Sequence, residues 1–459
     1  MQPSSEILSS SASATATAGS HRGIDRRYAL EWYDRNRART RALFDVLTPE
    51  TLYAQPIAQR HPIVFYVGHL PGFSLNTLVK RGLGLAGVDE RLERLFARGI
   101  DPDEHGHDAS AFAWPDRETV EAFVRAADAR VREALSEADL DQPGHALLDR
   151  AEAVYAILEH EAMHQETLLY MWHRLPHDAK RAPGDYSVRV QGGSIVQEDI
   201  AIPAGQAHLG ARRGEVPFGW DNEFPGPVVD VDAFRIQRLN VTNGDFLAFV
   251  EAGGYRNPEW WSPQDWTWLQ NESHTHPTFW ERIDGRWYWR GMFEYVPLPL
   301  AWPVYVSQAE ASAYAKWTRR RLPTEAEFQR AAYGSPDGSA RRQPWGNASP
   351  AAAHGVFDFQ SWEPEPVGTH PDGQSAWGVH DLVGDGWEWT STIFDGFPGF
   401  TPIPSYPEYS ADFFDGSHFV LKGASPATAR ELLRPSFRNW FRPRYPYVYA
   451  TFRTVEMRP

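Results

Sequence analysis

Apolar residues recur every three or four positions along the first part of the chain, a spacing typical of amphipathic helices. Four segments carry this pattern: residues 27–47, 62–83, 116–138 and 147–175. Clusters of Pro, Gly and Asp separate the segments and favour turns between them. The pattern therefore predicts an antiparallel four-helix bundle over residues 25–180.

The pattern changes after a polar linker at residues 177–185. The rest of the chain is dense in Gly, Pro and Trp, with short β-like runs, and its clearest helical stretches are residues 307–318 and 324–332. This predicts an irregular α+β domain over residues 186–459 that is held together by aromatic packing. The expected fold class is therefore multidomain, an α unit followed by an α+β unit.

The length of 459 residues agrees with two domains, because a chain of this length is longer than those that usually fold around one hydrophobic core. Residues 1–24 are predicted to be a disordered tail, since residues 9–18 contain only Ser, Ala and Thr. This stretch lacks the basic and apolar regions of a signal peptide. No apolar run approaches the ~20 residues that span a bilayer, so a membrane is not an expected partner.

Charge and cysteine content narrow the functional classes. A net charge of −15 argues against a general nucleic-acid binder, which needs a basic face to neutralise phosphates. Cysteine is absent, so the chain has no disulfides, no thiolate metal ligands and no cysteine nucleophile. A cytoplasmic location is the simplest expectation from this composition.

The pentad His-Glu-Ala-Met-His at 160–164 is the strongest chemical signal. Two imidazoles four residues apart project from the same side of a helix. They belong to an apolar stripe, where an imidazole without a partner would be costly to bury, and a divalent metal would supply that partner. His69 on the second predicted helix offers a third ligand, and Gly68 and Gly72 would let another element approach it closely. Three imidazoles leave coordination positions open, as a catalytic metal requires.

Two other interpretations of the pentad remain open. The same residues fit the zinc-peptidase pattern H-E-x-x-H, in which Glu161 would be the general base. A third peptidase ligand would have to follow, but Glu166 lies on another side of the helix and His173 is two and a half turns further on. Alternatively, His160 and His164 bind no metal and hydrogen-bond to neighbouring helices.

The second half of the chain carries a family resemblance. The matching words are Arg-Leu-Pro-Thr-Glu-Ala-Glu-Phe at 321–328, Pro-Trp-Gly-Asn at 344–347, Gly-Val-His-Asp-Leu-Val-Gly-Asp-Gly-Trp-Glu-Trp-Thr at 378–390 and Ala-Thr-Phe-Arg at 450–453. Together they resemble the formylglycine-generating-enzyme or sulfatase-modifying-factor family, which implies a C-type-lectin-like fold. Formylglycine generation itself is not implied, because that chemistry resembles a copper–cysteine site and this chain has no cysteine.

The first half resembles the DinB-like bundles, which carry one histidine on the second helix and H-x-x-x-H-x-E on the fourth. The matching residues are His69, His160, His164 and Glu166. A DinB-like bundle joined to a lectin-like domain is similar to the ergothioneine sulfoxide synthases, or hercynine oxygenases. The resemblance implies that His69, His160 and His164 hold a non-haem Fe(II) that activates O2. The implied substrate is hercynine, the trimethylated betaine of histidine.

The resemblance also implies substrate-binding residues. Asn439 and Trp440 match an Asn-Trp pair that holds hercynine, with the amide on its carboxylate and the indole on its trimethylammonium by cation–π attraction. Met163 stands where some relatives have a substrate-contacting Gln. Plain core packing is the alternative role for Trp440.

Two departures from the family pattern concern the chalcogen donor. Relatives that use γ-glutamylcysteine have an Asp and an Arg where this chain has Phe441 and Tyr445, and an arginine-rich stretch where it has the acidic loop 101–114. Bidentate Arg pairs suit carboxylates, so their loss favours a donor without carboxylates. The selenoneine synthases fit, because they take selenium from a selenosugar, 1-seleno-glucose. The implied reaction is C–Se bond formation on hercynine.

Several assignments stay open at this stage. A sulfoxide synthase that uses a thiol, either γ-glutamylcysteine or cysteine, is the first alternative function, and a lectin-like binding protein with a structural zinc is another. The family's catalytic tyrosine is expected after Trp-Glu-Trp-Thr, but that segment contains Phe394 and Phe397 and no phenol. Tyr406 and Tyr409 lie further along, so the catalytic group is unassigned.

Overall fold

The chain divides into two compact units. The computed structural model describes residues 23–97, 113–190, 195 and 197–457. The first unit consists of the described parts of Met1–Asp185 together with a short segment, Ile403–Pro407, and the second of Tyr186–Pro402 and Glu408–Pro459. Most of the predicted tail and residues 101–112 of the predicted acidic loop lie outside the described residues.

The first unit is a helical bundle. Its helices are α1 (Arg26–Asp45), α2 (Ile63–Ser74), α3 (Glu90–Phe96), α4 (Arg117–Glu137) and α5 (Glu152–Arg174). Asp25 caps α1 by accepting from the Tyr28 N–H, and Asp116 caps α4 in the same way. α1 packs against α4 and α5, and α2 packs against α3, α4 and α5. In the part of the chain that the structure describes, no helix combines the length and apolarity that a membrane crossing needs.

The second predicted helix does not stay α-helical to its end. After α2 the chain continues as a π-helix over Leu75–Gly82, in which the Leu83 N–H donates to the Leu78 carbonyl. π-Helical turns accommodate an extra residue and recur at functional sites. The sequence pattern over residues 62–83 predicted the helix but not this change of register.

Buried polar groups join α1 to α4 and α5. The Arg37 guanidinium lies 2.9 Å from Asp128 and 2.8 Å from Glu161, and the Thr40 hydroxyl donates to Glu161. The Tyr33 hydroxyl donates to the other member of this network, Asp128. A buried carboxylate is tolerated because these partners replace its water.

The second unit mixes short strands and helices. Its strands are β1 (Asp199–Ile202), β2 (Gly205–His208), β3 (Val228–Val231), β4 (Phe234–Gln237), β5 (Trp280–Ile283), β6 (Arg286–Arg290), β7 (Tyr295–Pro297), β8 (Arg320–Arg321), β9 (Gly386–Ile393), β10 (Phe419–Ala424), β11 (Asn439–Phe441), β12 (Ala450–Thr451) and β13 (Val455–Glu456); its helices are α6 (Asn243–Glu251), α7 (Pro263–Asn271), α8 (Gln308–Trp317) and α9 (Glu325–Tyr333). The two larger sheets have the strand orders β1-β4-β13-β8 and β11-β10-β9-β12. The expected fold class, a multidomain chain with an α unit followed by an α+β unit, is confirmed.

Glutamates from the matching words of the second half take part in buried ion pairs. Glu325, at the start of α9, accepts two hydrogen bonds from Arg438, beside β11. Glu388 on β9 accepts two from Arg453, and both side chains of that pair are fully buried. Arg453 also donates to the His380 carbonyl, so it joins β9 to two other parts of the unit. These residues of the family pattern therefore stabilise the fold of the unit rather than take part in a reaction.

The Arg453–Glu388 pair generates a stability prediction. Replacing Arg453 by Met would leave Glu388 buried without a counter-ion, which costs roughly 3–5 kcal/mol. Arg235→Met is the matched control, because its pair with Glu456 is about half exposed and contributes under ~1 kcal/mol. Urea unfolding of the full chain measures both variants. Equal losses in the two variants would contradict the assignment.

Candidate metal centre

Three histidines converge inside the bundle. His160 and His164 lie one turn apart on α5, and His69 faces them from α2. One ring nitrogen from each histidine lies within 4.8 Å of those of the other two. All three side chains are buried, at 4%, 2% and 6% exposure for His69, His160 and His164. The structure thus brings together the three residues that the sequence predicted as ligands.

His69 is held by a close contact between helices. Its Nδ1–H donates to the backbone carbonyl of Phe96, at 2.7 Å. Gly68 permits this approach, because a Cβ at that position would lie 2.4 Å from the Phe96 ring. The hydrogen bond fixes the tautomer and leaves the lone pair of Nε2 for another partner. Sequence reasoning identified the Gly68 approach but not the carbonyl, since backbone acceptors carry no residue signature.

Aromatic contacts hold the other two rings. Phe73 stacks on His160 with 3.5 Å between ring centroids and 7° between the planes. Tyr66 lies 5.9 Å from His164 in a tilted arrangement. Phe73 follows His69 by four residues, so the two side chains lie on the same face of the helix and the sequence spacing could have identified Phe73.

Burial keeps the three imidazoles neutral. Desolvation lowers the pKa of His69 to about 4, although the Phe96 carbonyl opposes the shift. Desolvation likewise lowers the pKa of His160 and of His164 well below the ordinary value of 6.5. Neutral rings have the free lone pairs that metal coordination needs.

The arrangement fits a divalent metal ion. The Nε2 atoms of His160 and His164 are 3.1 Å apart, and two nitrogens that bind one ion at right angles from ~2.1 Å would be ~3.0 Å apart. The Nε2 of His69 is buried with no hydrogen-bond partner among the described residues. A metal would satisfy that atom. Three neutral nitrogens with open positions suit a redox-active or Lewis-acid metal better than a closed structural zinc.

Glu161 does not face this cluster. Its carboxylate is held by Arg37 and Thr40 of α1, at 2.8 and 2.6 Å. Adjacent side chains on a helix point about 100° apart, so Glu161 points toward α1 and away from the direction of His160. The geometry therefore removes Glu161 from the general-base position that the peptidase interpretation requires. Met163, on the same helix, is half-buried.

A turn from the second half of the sequence belongs to the bundle unit. Within Ile403–Pro407, the Tyr406 N–H donates to the Ile403 carbonyl, which closes a turn with Pro404 at its second position. The Tyr406 ring lies 5.2 Å from Phe73 and 6.1 Å from the His160 ring. Tyr406, only one of two alternatives from the sequence, is thus placed beside the histidines.

The predicted substrate pair lies on β11 of the second unit. Trp440 is half-buried and stacks on Phe394, with 4.3 Å between centroids and 6° between planes. Tyr409 meets Trp440 edge-on, at 5.2 Å. The side-chain oxygen of Asn439 accepts from the Trp440 N–H at 2.9 Å. Trp440 thus has one face covered by packing and contributes to an aromatic cluster.

The remaining predicted positions are aromatic surfaces. Phe441 and Tyr445 stack on each other, with 5.5 Å between centroids and 2° between planes, and both are half-buried. Phe394 and Phe397 are buried, and the Arg438 guanidinium lies over both rings, at 5.1 and 4.2 Å. Phe394 and Phe397 therefore pack around a buried cation in this unit.

The Gly68 contact yields a matched pair of predictions. Gly68→Ala should drive a methyl group into the Phe96 ring, displace the carbonyl that orients His69, and weaken metal binding about 10- to 100-fold. Gly72→Ala is the control: its Cβ would lie 3.6 Å from Phe96, and Ala favours the helix by up to ~1 kcal/mol. Competition with a chelator measures both affinities. Unchanged affinity in Gly68→Ala would contradict this account.

Comparisons with known proteins agree with the two units. Residues 185–458 match the sulfatase-modifying factor enzyme 1-like domain family, and residues 33–168 match the DinB superfamily. A hercynine oxygenase of Mycolicibacterium smegmatis is 39% identical over 62% of this chain and 67% of that protein. The hercynine oxygenase of Mycobacterium tuberculosis is 44% identical over 53% of this chain and 57% of its own length.

A fungal relative extends the similarity over both units. Ergothioneine biosynthesis protein 1 of Neurospora crassa is 28% identical over 90% of this chain and 56% of that protein. These relatives support an oxidoreductase-type enzyme and not the alternative of a binding protein with a structural zinc. The chain belongs to the family of the hercynine oxygenases, in which a DinB-superfamily domain is joined to a sulfatase-modifying factor enzyme 1-like domain.

Proposed function

We propose that this enzyme uses Fe(II) and O2 to form a carbon–selenium bond between hercynine and a selenosugar, 1-seleno-glucose, as the selenoneine synthases do. The convergence of His69, His160 and His164 carries the proposal, together with relatives that are named hercynine oxygenases. The curated relatives support the hercynine part. The selenium part rests on this chain's own residues.

The histidines would hold the iron through ring nitrogens that burial keeps neutral. An Fe(II) ion bound there would supply the one-electron chemistry that O2 activation needs. The bundle contributes a dry site, because Phe73 and Tyr66 cover the rings of His160 and His164. A dry site protects reactive species from water.

Hercynine would be bound by Asn439 and Trp440. The Asn439 oxygen already accepts from the Trp440 N–H, which leaves its amino group to donate to the hercynine carboxylate. The indole of Trp440 would attract the trimethylammonium group by a cation–π contact.

The argument for a donor without carboxylates is electrostatic. Arg434, Arg438 and Arg444 around β11 are already paired with Glu223, Glu325 and Asp265. A γ-glutamylcysteine carboxylate would have to compete with these carboxylates for each guanidinium.

The aromatic pair Phe441 and Tyr445 favours a sugar. The two rings are stacked, half-buried and uncharged, and relatives that use γ-glutamylcysteine have a charged pair at these positions. Sugars are bound by stacking their apolar faces on aromatic rings and by hydrogen bonds from neutral or acidic groups. These two rings would therefore bind the glucose moiety.

The proposed reaction balances with one O2. One C–H bond of the hercynine imidazole and one Se–H bond of the donor break, and a C–Se bond forms. O2 accepts four electrons, one of its oxygen atoms bonds to selenium, and the other leaves as water. The phenol Oη of Tyr406 would donate a proton to the oxygen that leaves, since its ring lies beside that of His160.

A thiol donor is the second candidate, because relatives that match this chain are named for hercynine oxygenation and ergothioneine biosynthesis. It requires the same iron ligands and the same Asn439–Trp440 pair. A cytoplasmic location stays a prediction from the absence of cysteine.

Product analysis tests the donor. The purified enzyme is incubated with Fe(II), O2 and hercynine, and with 1-seleno-glucose, γ-glutamylcysteine or cysteine in parallel, and the products are identified by mass spectrometry. We expect turnover with the selenosugar to be at least ~10-fold faster than with either thiol. Even a small difference in size or charge between two substrates typically changes kcat/KM by this factor. His69→Ala should abolish both metal binding and turnover.

The possible outcomes separate the two parts of the proposal. Turnover with γ-glutamylcysteine and none with the selenosugar would remove selenium and retain the hercynine chemistry. No hercynine-dependent O2 consumption with any donor would contradict the whole function.

Tyr406 can be tested through its hydroxyl. Tyr406→Phe keeps the ring that contacts Phe73 and should lower kcat about 100-fold, the contribution typical of a positioned acid. Tyr409→Phe is the control, because Tyr409 stacks on Trp220 and packs in the second unit. Its kcat should stay within about threefold. Equal effects of the two substitutions would contradict a proton-donating Tyr406.

A further inference from the structure

Side chains of the bundle hold the backbone of the turn that carries Tyr406. Arg81, in the last turn of the π-helix, donates from Nη1 to the Ser405 carbonyl at 3.1 Å and from Nη2 to the Pro404 carbonyl at 3.0 Å. The Ser405 N–H donates to the Glu152 carboxylate at 3.2 Å. Both carbonyls at the centre of the turn and the N–H between them therefore have side-chain partners from the bundle.

The two partners come from the elements that carry the histidines. Arg81 follows His69 on the continuation of α2, and Glu152 begins α5, which carries His160. Glu152 also lies where the α5 dipole favours a negative charge. The turn is thus attached to the same two helices that position the imidazoles.

The chemistry of the turn favours a fixed direction for Tyr406. Pro404 and Pro407 restrict the backbone on either side of it, and the residue before Pro407 is confined to extended conformations. Ser405 is fully buried, whereas Tyr406 is half-buried. A rigid turn with anchored peptide groups leaves the Tyr406 ring little freedom other than rotation about its own side-chain bonds.

We propose that Arg81 and Glu152 are positioning residues, which clamp the backbone of the Ile403–Pro407 turn and so fix the Tyr406 hydroxyl for proton donation. The inference rests on the proposed function, since it gives Tyr406 a role in that reaction. The π-helix is part of the device, because it sets the direction in which Arg81 projects from the helix.

The first test measures the clamp without metal or substrate. Hydrogen exchange of the metal-free protein, followed by mass spectrometry, reports the Ser405 and Tyr406 amides in a peptide that covers residues 403–409. Arg81→Ala should lower their protection at least ~10-fold and leave α4 unchanged. Arg125→Ala is the control, because Arg125 is an exposed residue of α4 and lies 3.8 Å from the Glu121 carboxylate. Unchanged exchange in Arg81→Ala would overturn the clamp.

The second test measures its effect on catalysis. Arg81→Ala should lower kcat about 10- to 100-fold with KM for hercynine nearly unchanged, since displacement of a reacting group by about 1 Å costs this much. Arg81→Lys, which keeps the charge but lacks the planar guanidinium fork, should give an intermediate loss. Glu152→Gln retains an oxygen that accepts from the Ser405 N–H and should keep most activity, whereas Glu152→Ala should not.

A double substitution distinguishes positioning from general stability. In a Tyr406→Phe background, Arg81→Ala should cause little further loss, because the group that it positions is already gone. Multiplicative losses would overturn the assignment of Arg81 to Tyr406. If the unaltered enzyme consumes no O2 with hercynine while the exchange result holds, the proposed function fails and the clamp stands.

Discussion

The cost of taking an imidazole out of water governs the bundle unit. His69, His160 and His164 are buried on facing helices, and that burial depresses their pKa values and leaves lone pairs directed into a small shared volume. Such an arrangement is unfavourable unless something accepts those lone pairs. The surrounding contacts orient the rings so that one ligand could bind all three. A backbone carbonyl holds His69, and aromatic rings pack against His160 and His164. Without a shared ligand, the buried lone pairs would lower the stability of the bundle.

A different use of burial organises the second unit. Its most recognisable sequence words supply Glu388 and Arg453, which pair with each other, and Glu325, which pairs with Arg438 outside those words. Removing either partner leaves a charge without compensation in a region of low dielectric. Similarity in these words therefore reports the fold of the unit. The residues proposed to bind substrate, Asn439 to Phe441, form β11 and follow directly after one of these arginines, so the scaffold and the binding surface are adjacent in the chain.

The helices and the histidine cluster could be predicted because both depend on local periodicity. The stripe that contains His160 and His164 is a property of consecutive residues, and helix geometry converts it into a shared direction. The π-helix could not be predicted, because apolar spacing does not register one extra residue per turn. Tyr406 could be named but not chosen over Tyr409. Its position depends on contacts between residues more than 250 positions apart in the chain, such as that of Glu152 with Ser405. The contact of His69 with the Phe96 carbonyl could not be predicted, because every residue has a backbone carbonyl.

The assignment of Ile403–Pro407 to the bundle unit changes what counts as a module in this family. A gene fragment that encodes residues 1–185 would specify the histidines but not the phenol beside them. Recombination at the linker would exchange metal ligands and leave Tyr406 behind with the other half. Joint inheritance of the bundle and the lectin-like domain would keep Tyr406 with the histidines. Covariation between the π-helix and the Pro-Ser-Tyr-Pro stretch would be the evolutionary trace of this dependence.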